Sequence, residues 1–306
     1  MTAQPPPRAM LPHPPQGSAE APVPSRPPER LRAARPPHRA LPGFRTAGAI
    51  TLLWLGLIVI VPLIALVLRP WELGLTGVWA SATSPRVLAA LRLSFGSAAL
   101  AAAINVPLGL LVAWVLVRHP FPGRRLADAA VDLPFALPTA VAGIALATLY
   151  APNGWIGALL APLGIQVAYQ PVGVAVALAF VGLPFVVRTV EPVLRDMAPE
   201  AEEAAATLGA TRGQAFRRVV LPALAPSLLT GFALAFARGA GEYGSVIFLA
   251  GNVPMLSEIA PLLIVARLEA YDDAGAAAVG LAMLTVSLAT LLLLALAQRS
   301  LGRGRA

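Results

Sequence analysis

The chain has 306 residues, of which 57% are hydrophobic and 12% charged, and its mean hydropathy is +0.73. A soluble domain of this length cannot bury so much apolar surface, so the composition predicts an integral membrane protein. Cysteine is absent, which excludes disulfides and thiolate sites, and lysine is absent, which excludes the P-loop phosphate motif. The net charge of +8 comes from arginines beside apolar segments, a membrane pattern that argues against nucleic-acid binding.

Residues 1–44 form a segment rich in proline and arginine. It contains 13 prolines and no long apolar run. Such a segment cannot bury enough surface to offset its ordering entropy, so we expect a disordered cytoplasmic tail.

Long uncharged windows follow, and their lengths predict about six membrane-spanning helices. The windows are 46–68, 93–117, 133–187, 219–237 and 274–298, and the third, with 55 residues, is long enough for two crossings. We expect the fifth span to continue beyond Arg238 and Glu242 to about Ala250. The fold class is therefore all-α and polytopic. A first helix and outer loop occupy 45–87, a transmembrane domain occupies 88–298, and a short cytoplasmic tail occupies 299–306.

The arginines predict the orientation of these spans. Eighteen of them lie in the two terminal segments and in the loops after the second and fourth spans, whereas the opposite loops contain four. Basic loops remain in the cytoplasm, so both termini are expected there, with the chain crossing a bacterial inner membrane several times.

The loop over 195–222 is polar but carries the local signals of two helices. Pro199 suits a first helical turn, glutamates follow it, and three alanines precede Gly209, which suits a helix C-terminus. Thr211 and Gln214 have the spacing of a capping box for a second helix. A short helix held outside the membrane is typical of docking into a partner's groove. The alternative, a helix lying on lipid, favours basic residues over three glutamates.

Arg238 and Glu242 are the charged pair inside the predicted fifth span. They are four residues apart, so on one helix face they neutralise each other. Ionisable residues in a membrane span usually face a cavity or another helix. Two interpretations stay open: the pair lines a route for an anion, or it fixes helix packing.

Two groups of motifs resemble the permeases of type I ABC importers. The first is Glu203-Ala204-Ala205 with Gly209, followed after nine residues by Val219-x-Leu221-Pro222, which is similar to the EAA loop; that family favours isoleucine at the valine position. The second comprises the runs over 133–143, 150–155, 236–245 and 258–265, which are similar to the sulfate/thiosulfate branch of the family.

The resemblance implies a fold, a function and a set of partners. The type I permease fold would carry sulfate or thiosulfate, and the loop would be a coupling element shaped by Glu202, Glu203, Ala204, Ala205, Gly209, Leu221 and Pro222. The translocation path would include Arg238, Gly241, Glu242 and Tyr243. Two ATP-binding cassette subunits, a second permease subunit and an extracytoplasmic sulfate-binding protein are implied. The chain would bind no cofactor, since its partners would bind ATP.

Three rival functions remain at this point. A molybdate or tungstate permease shares the Gly-Glu-aromatic-Gly core. A self-sufficient secondary transporter would require internal repeats, and none is convincing in this sequence. A membrane enzyme would require a catalytic constellation, but His13, His38 and His119 have no metal or catalytic spacing, so we expect no catalytic residue and no metal site.

Overall fold

The computed structural model describes residues 44–197 and 200–303, with side chains described over 46–197 and 200–298. Within these ranges every regular element is helical, in agreement with the all-α prediction. The described part of the chain does not include residues 1–43, 198–199 and 304–306. The predicted tail over 1–44, except Phe44, and the expected helix start at Pro199 therefore lie outside the described residues.

The α-helices, numbered in chain order, are α1 (Phe44–Leu55), α2 (Val61–Leu68), α3 (Gly74–Ala82), α4 (Pro85–Arg118), α5 (Arg124–Val131), α6 (Leu133–Ala136), α7 (Thr139–Tyr150), α8 (Trp155–Leu160), α9 (Pro171–Asp196), α10 (Glu200–Thr207), α11 (Arg212–Ala215), α12 (Leu221–Ala240), α13 (Gly244–Leu249), α14 (Ala260–Glu269) and α15 (Asp273–Arg303).

Six segments of the described chain are long and apolar enough to cross a membrane, which confirms the predicted number. They cover Thr46–Ala82, Pro85–Arg118, Thr139–Leu163, Pro171–Asp196, Arg212–Ala240 and Asp273–Gln298. Each has at least the length of about 20 residues that a bilayer requires.

The chain divides into two compact units, residues 1–56 and 57–306. The described part of the first unit is α1, on which Leu52, Leu53 and Trp54 are all more than half exposed. Large apolar side chains exposed in this way are suited to contact with lipid.

The second unit is built around α4, α9 and α12, which pack against one another. Val186 of α9 is fully buried between a glycine of each neighbouring helix. A Cβ on Gly109 would lie 2.7 Å from Val186 Cγ1, and one on Gly231 would lie 3.0 Å from Val186 Cα. Such small residues let helix backbones approach closely, which is how spans associate without a hydrophobic drive.

The third span begins later than the sequence predicted. The uncharged window opens at Leu133, but α6 ends after four residues and Leu137 has an extended backbone, with φ −83° and ψ 134°. The following residue is Pro138, whose ring disfavours a helical conformation in the residue before it. The long helix α7 therefore starts only at Thr139.

Candidate functional site

The predicted coupling segment contains the expected helix–glycine–helix element. Helix α10 has Glu200, Glu202 and Glu203 in its first turn, where negative charge complements the helix dipole, and none of its residues is buried. Gly209 follows with φ +82°, a left-handed conformation that glycine adopts without a steric penalty. The local signals therefore predicted both the helix and its end correctly.

The second helix of this segment starts as predicted and then departs from regular geometry. Thr211 Oγ1 accepts a hydrogen bond from the Gln214 amide at 3.4 Å, and Gln214 Oε1 accepts one from the Thr211 amide at 2.8 Å, which confirms the capping box. After Ala215 the chain forms a π-helical turn over Phe216–Val220. The sequence analysis missed this turn, which leads into α12 at Leu221 and Pro222.

Leu208 is a candidate docking residue that the sequence analysis missed. It follows α10 directly, and 89% of its surface is exposed, although it is a large aliphatic residue. Ala204, four residues earlier in α10, is also exposed, and Ala205 is half-buried. The detectable signal was a leucine immediately before the terminal glycine of a polar helix.

Glu202 has a different environment from its neighbouring glutamate. Its carboxylate accepts a hydrogen bond from Arg118 Nη2 at 2.7 Å, so α10 is joined to the end of α4. The guanidinium of Arg118 lies 5.7 Å from the ring of Trp114, within the range of a cation–π contact. Trp114 in turn meets Phe216 of the π-helical turn edge to face, with ring centroids 5.6 Å apart.

Arg188, near the same end of the bundle, forms an ion-pair cluster that the sequence analysis did not predict. All five of its N–H donors are used: they bind the carboxylates of Asp128, Asp132 and Glu191 and the Asp128 carbonyl at 2.6–3.0 Å. Glu191 also accepts a hydrogen bond from Arg195. The cluster fixes α5 and the start of α6 against α9. Glu191 has helical spacing to Arg188, but Asp128 and Asp132 are 60 and 56 residues away, so spacing does not reveal the whole cluster.

The predicted Arg238–Glu242 ion pair is present, but the helix does not continue through it. Helix α12 ends at Ala240, and residues 241–243 are not helical before α13 begins. The expected continuation to about Ala250 is therefore a separate short helix, α13, and Glu242 lies beyond the helix whose face it was expected to share with Arg238. Glycines at 239 and 241 have low helix propensity, and the Glu242 carboxylate stabilises the break by binding the start of α13.

Glu242 is buried and its carboxylate is fully engaged. Only 2% of the residue is exposed, and Oε2 accepts a hydrogen bond from Arg238. Oε1 accepts bonds from both the amide and the hydroxyl of Ser245 at 3.0 Å. Arg238 remains one-third exposed, and Glu242 is its one hydrogen-bond partner among the described residues. Most donors of this guanidinium are therefore open to other ligands.

Helix α13 packs closely against α7, which brings together two of the sequence runs quoted above. A Cβ on Gly143 would lie 2.5 Å from the Ser245 carbonyl oxygen, and one on Gly244 would lie 2.2 Å from Thr139 Oγ1. Neither position tolerates a side chain without movement of the backbone or of Thr139. The start of α13, which the Glu242 carboxylate binds, is therefore fixed against α7 by two close contacts.

The two groups of predicted site residues lie at opposite ends of α12. Leu221 and Pro222 open the helix beside the coupling segment, and Arg238 lies in its last turn, with Gly241 exposed and Tyr243 half-buried just beyond. Twenty residues of α-helix separate these ends by about 30 Å. The described residues contain no cluster of three or more acidic or histidine side chains able to hold a metal ion.

Sequence comparisons match this chain to one protein family and to named transport proteins. Residues 105–303 match the family described as binding-protein-dependent transport system inner membrane component. The sulfate transport system permease protein CysT of Synechocystis sp. is 50% identical over 250 residues, which is 82% of this chain and 87% of the relative. CysT of Escherichia coli (strain K12) is 48% identical over 266 residues, or 87% of this chain and 96% of the relative. These matches confirm the resemblance found in the sequence motifs.

Structural comparison confirms the predicted fold. A chain from a bacterial ABC transporter that imports the acidic polysaccharide alginate superposes with a TM-score of 0.69 at 17% identity, covering 84% of this chain and 96% of that chain. A second structure of an alginate ABC transporter, in complex with an alginate pentasaccharide-bound periplasmic protein, gives a TM-score of 0.66 over 82% of this chain.

Proposed function

The chain belongs to the family of binding-protein-dependent inner-membrane transport components, the permeases of ABC importers, and we propose that it carries sulfate or thiosulfate across a bacterial inner membrane. The identity to sulfate permeases supports the substrate. The observation that supports coupling to a separate ATPase is α10, a short helix with no buried residue at one end of the bundle, in a sequence without a phosphate-binding loop. Such a helix suits docking on a separate ATP-hydrolysing protein.

The residues of the coupling segment have distinct parts in this docking. Leu208, almost fully exposed, supplies an apolar anchor, and Glu203 supplies an exposed charge. The small side chain of Ala204 allows the partner to approach the helix closely. Gly209 lets the chain turn back towards Leu221 and Pro222, so that force on α10 is delivered to the start of α12.

Arg238 is the anion-contacting residue in this proposal. It is one-third exposed, and its partner Glu242 occupies one edge of the guanidinium and leaves the other donors open. Arginine donors suit the oxygens of a tetrahedral oxyanion. Since Glu242 neutralises the charge, the anion is held weakly enough to leave, which transport requires. Gly241 and Tyr243 line the same turn and complete the path.

The family resemblance implies the partners of this chain, and the orientation predicted by the arginines assigns each of them to one side of the membrane. With both termini and α10 in the cytoplasm, two ATPase subunits act from the inside and hydrolyse the ATP, so this chain is not itself an enzyme. A second permease subunit completes the pathway, and an extracytoplasmic binding protein delivers the anion to the opposite side. The identity of 48–50% to sulfate permeases favours sulfate over the molybdate or tungstate alternative.

Anion uptake in a strain that lacks its own sulfate permeases tests this function. The strain receives this chain together with the neighbouring permease, ATPase and binding-protein genes, and uptake of labelled sulfate is measured. We expect uptake that depends on the ATPase and that unlabelled thiosulfate suppresses, while molybdate at the same concentration has little effect. Uptake that persists without the ATPase would refute the ABC assignment, and stronger suppression by molybdate would assign the alternative substrate.

A further inference from the structure

Helix α10 has an unusually small set of attachments to the rest of the protein. None of its residues is buried, so apolar packing does not hold it in place. Among the described residues, the Arg118–Glu202 hydrogen bond is the only side-chain hydrogen bond from α10 to a membrane span. A force applied to α10 therefore reaches the bundle through the chain itself, through the contact of α10 with the π-helical turn over Phe216–Val220, and through this one ion pair.

The ion pair continues into a row of aromatic contacts that ends at another span. The Arg118 guanidinium lies over Trp114 of α4, and Trp114 meets Phe216 at an interplanar angle of 80°. Phe216 opens the π-helical turn that precedes α12. Turns of this kind recur at functional positions in helices, where the hydrogen-bond register is not that of the α-helix.

One N–H donor of Arg118 forms no hydrogen bond. Its Nε is buried and has no hydrogen-bond partner, whereas Nη2 binds Glu202. Arg86 shows what the same two donors can do, since its Nε and Nη2 bind both oxygens of Glu258 at 2.8 and 2.7 Å. By comparison, the Arg118–Glu202 contact is a single hydrogen bond, and the buried Nε of Arg118 is left unsatisfied.

We propose that Arg118 is a positioning residue that ties α10 to α4 and, through Trp114 and Phe216, to the start of α12, so that these spans move with α10. This inference rests on the proposed docking of ATPase subunits on α10. The alternative is that Arg118 and Glu202 form a partly exposed ion pair that contributes little to stability or to transport, as most surface ion pairs do.

Charge reversal in the complete complex tests the tie. The chain, its second permease and its ATPase subunits are placed in vesicles with sulfate-loaded binding protein, and sulfate imported per ATP hydrolysed is measured. Arg118→Glu and Glu202→Arg each place like charges in contact, so each should lower this ratio about tenfold. The double variant Arg118→Glu/Glu202→Arg remakes the ion pair but loses the cation–π contact with Trp114, so it should recover part of the ratio and stay below the unaltered complex. Arg125→Glu, at an exposed arginine of α5 without a hydrogen-bond partner in the described chain, is the matched control and should leave the ratio unchanged.

Each outcome decides a different question. If the unaltered complex does not import sulfate, the proposed function fails. If it does, but the single variants keep the ratio or the double variant does not recover it, only the tie is refuted. Assembly is followed by co-purification of the ATPase. Variants that lose assembly and regain it in the double variant, with an unchanged ratio per complex, would show a purely structural pair and overturn the proposal.

Cross-linking provides a second measurement that does not depend on charge. The natural chain has no cysteine, so Arg118→Cys/Glu202→Cys presents a unique pair to a short thiol-reactive cross-linker. The unreacted double variant lacks the ion pair, so its ratio should be low, and cross-linking, which rejoins α10 to α4, should raise the ratio towards that of the unaltered complex. A ratio that stays low after cross-linking would contradict the tie.

Discussion

Two glutamates lie at the two ends of the segment from α10 to α13 and have opposite environments. At one end, Glu203 is exposed and has no hydrogen-bond partner in the part of the chain that the structure describes. At the other end, Glu242 is buried and accepts three hydrogen bonds from its own chain. A carboxylate saturated by its own chain fixes the local backbone, whereas an exposed one is available to another protein. The comparison distinguishes a docking surface on α10 from a structural turn after α12.

The arginines extend the comparison. Arg188 uses all five donors within the chain, so nothing remains for a ligand. Arg238 uses one donor on Glu242 and is one-third exposed. The number of donors in use therefore distinguishes an arginine that holds helices together from one that is able to contact an anion.

The largest effect is expected at Glu242. Glu242→Ala leaves Arg238 without its partner and removes both bonds to Ser245, so the turn before α13 should open. The change removes three hydrogen bonds, each worth about 0.5–1.5 kcal/mol, while Arg238 stays partly exposed to solvent. We expect loss of most of the folded protein from the membrane, measured by size-exclusion chromatography of the detergent extract. A normal yield of folded Glu242→Ala protein would show that the turn does not depend on this carboxylate.

Substitution of Arg238 and of Arg188 should affect different properties of the protein, namely uptake and stability. Arg238→Gln removes the proposed anion contact while keeping an amide that can bond Glu242, so uptake per assembled complex should fall about tenfold for one lost charge-assisted contact. Arg188→Gln should instead lower stability by about 2 kcal/mol and leave uptake per assembled complex unchanged. Thermal unfolding and sulfate uptake are measured for both. Equal effects of the two variants on uptake per complex would remove the distinction drawn from donor use.

A smaller effect is expected where α7 meets α13. Gly143→Ala places a methyl group 2.5 Å from the Ser245 carbonyl, so the helices must separate, at a cost of about 1–3 kcal/mol. Gly96→Ala in α4 is the matched control, because nothing lies within 4 Å of the added carbon and alanine favours helix. Only Gly143→Ala should lower the unfolding temperature. A stable Gly143→Ala protein would mean that the turn tolerates displacement.

The smallest effect is expected at the docking surface. Leu208→Ser removes an exposed anchor, so affinity for the ATPase should fall about tenfold without a change in the unfolding temperature. Leu126→Ser changes another exposed leucine, on α5, and should affect neither quantity. Binding is measured by titrating the purified ATPase against the permease in nanodiscs. Unchanged affinity of the Leu208→Ser variant would place the apolar anchor elsewhere on α10.

Local signals were sufficient for much of the molecule. The number of spans followed from the lengths of uncharged windows, because the thickness of the bilayer fixes the length of a crossing helix. The end of α10 at Gly209 and the capping box of Thr211 with Gln214 followed from residues within one turn of each other. Hydrogen bonds over three or four residues depend little on the rest of the chain, so the sequence predicts them well.

Tertiary structure decided what lies between distant segments. Arg118 and Glu202 are 84 residues apart, and Arg188 and Asp132 are 56 apart, so no spacing rule connects them. The end of α12 at Ala240 was local only in part: Gly239 and Gly241 weaken the helix there, but the close packing of α13 against α7 depends on residues about 100 positions apart. The sequence by itself determined which segments cross the membrane and where the exposed helix lies. The contacts between spans determined which charges are buried, which are paired and which remain open, because those depend on the side chains that the folded chain brings together.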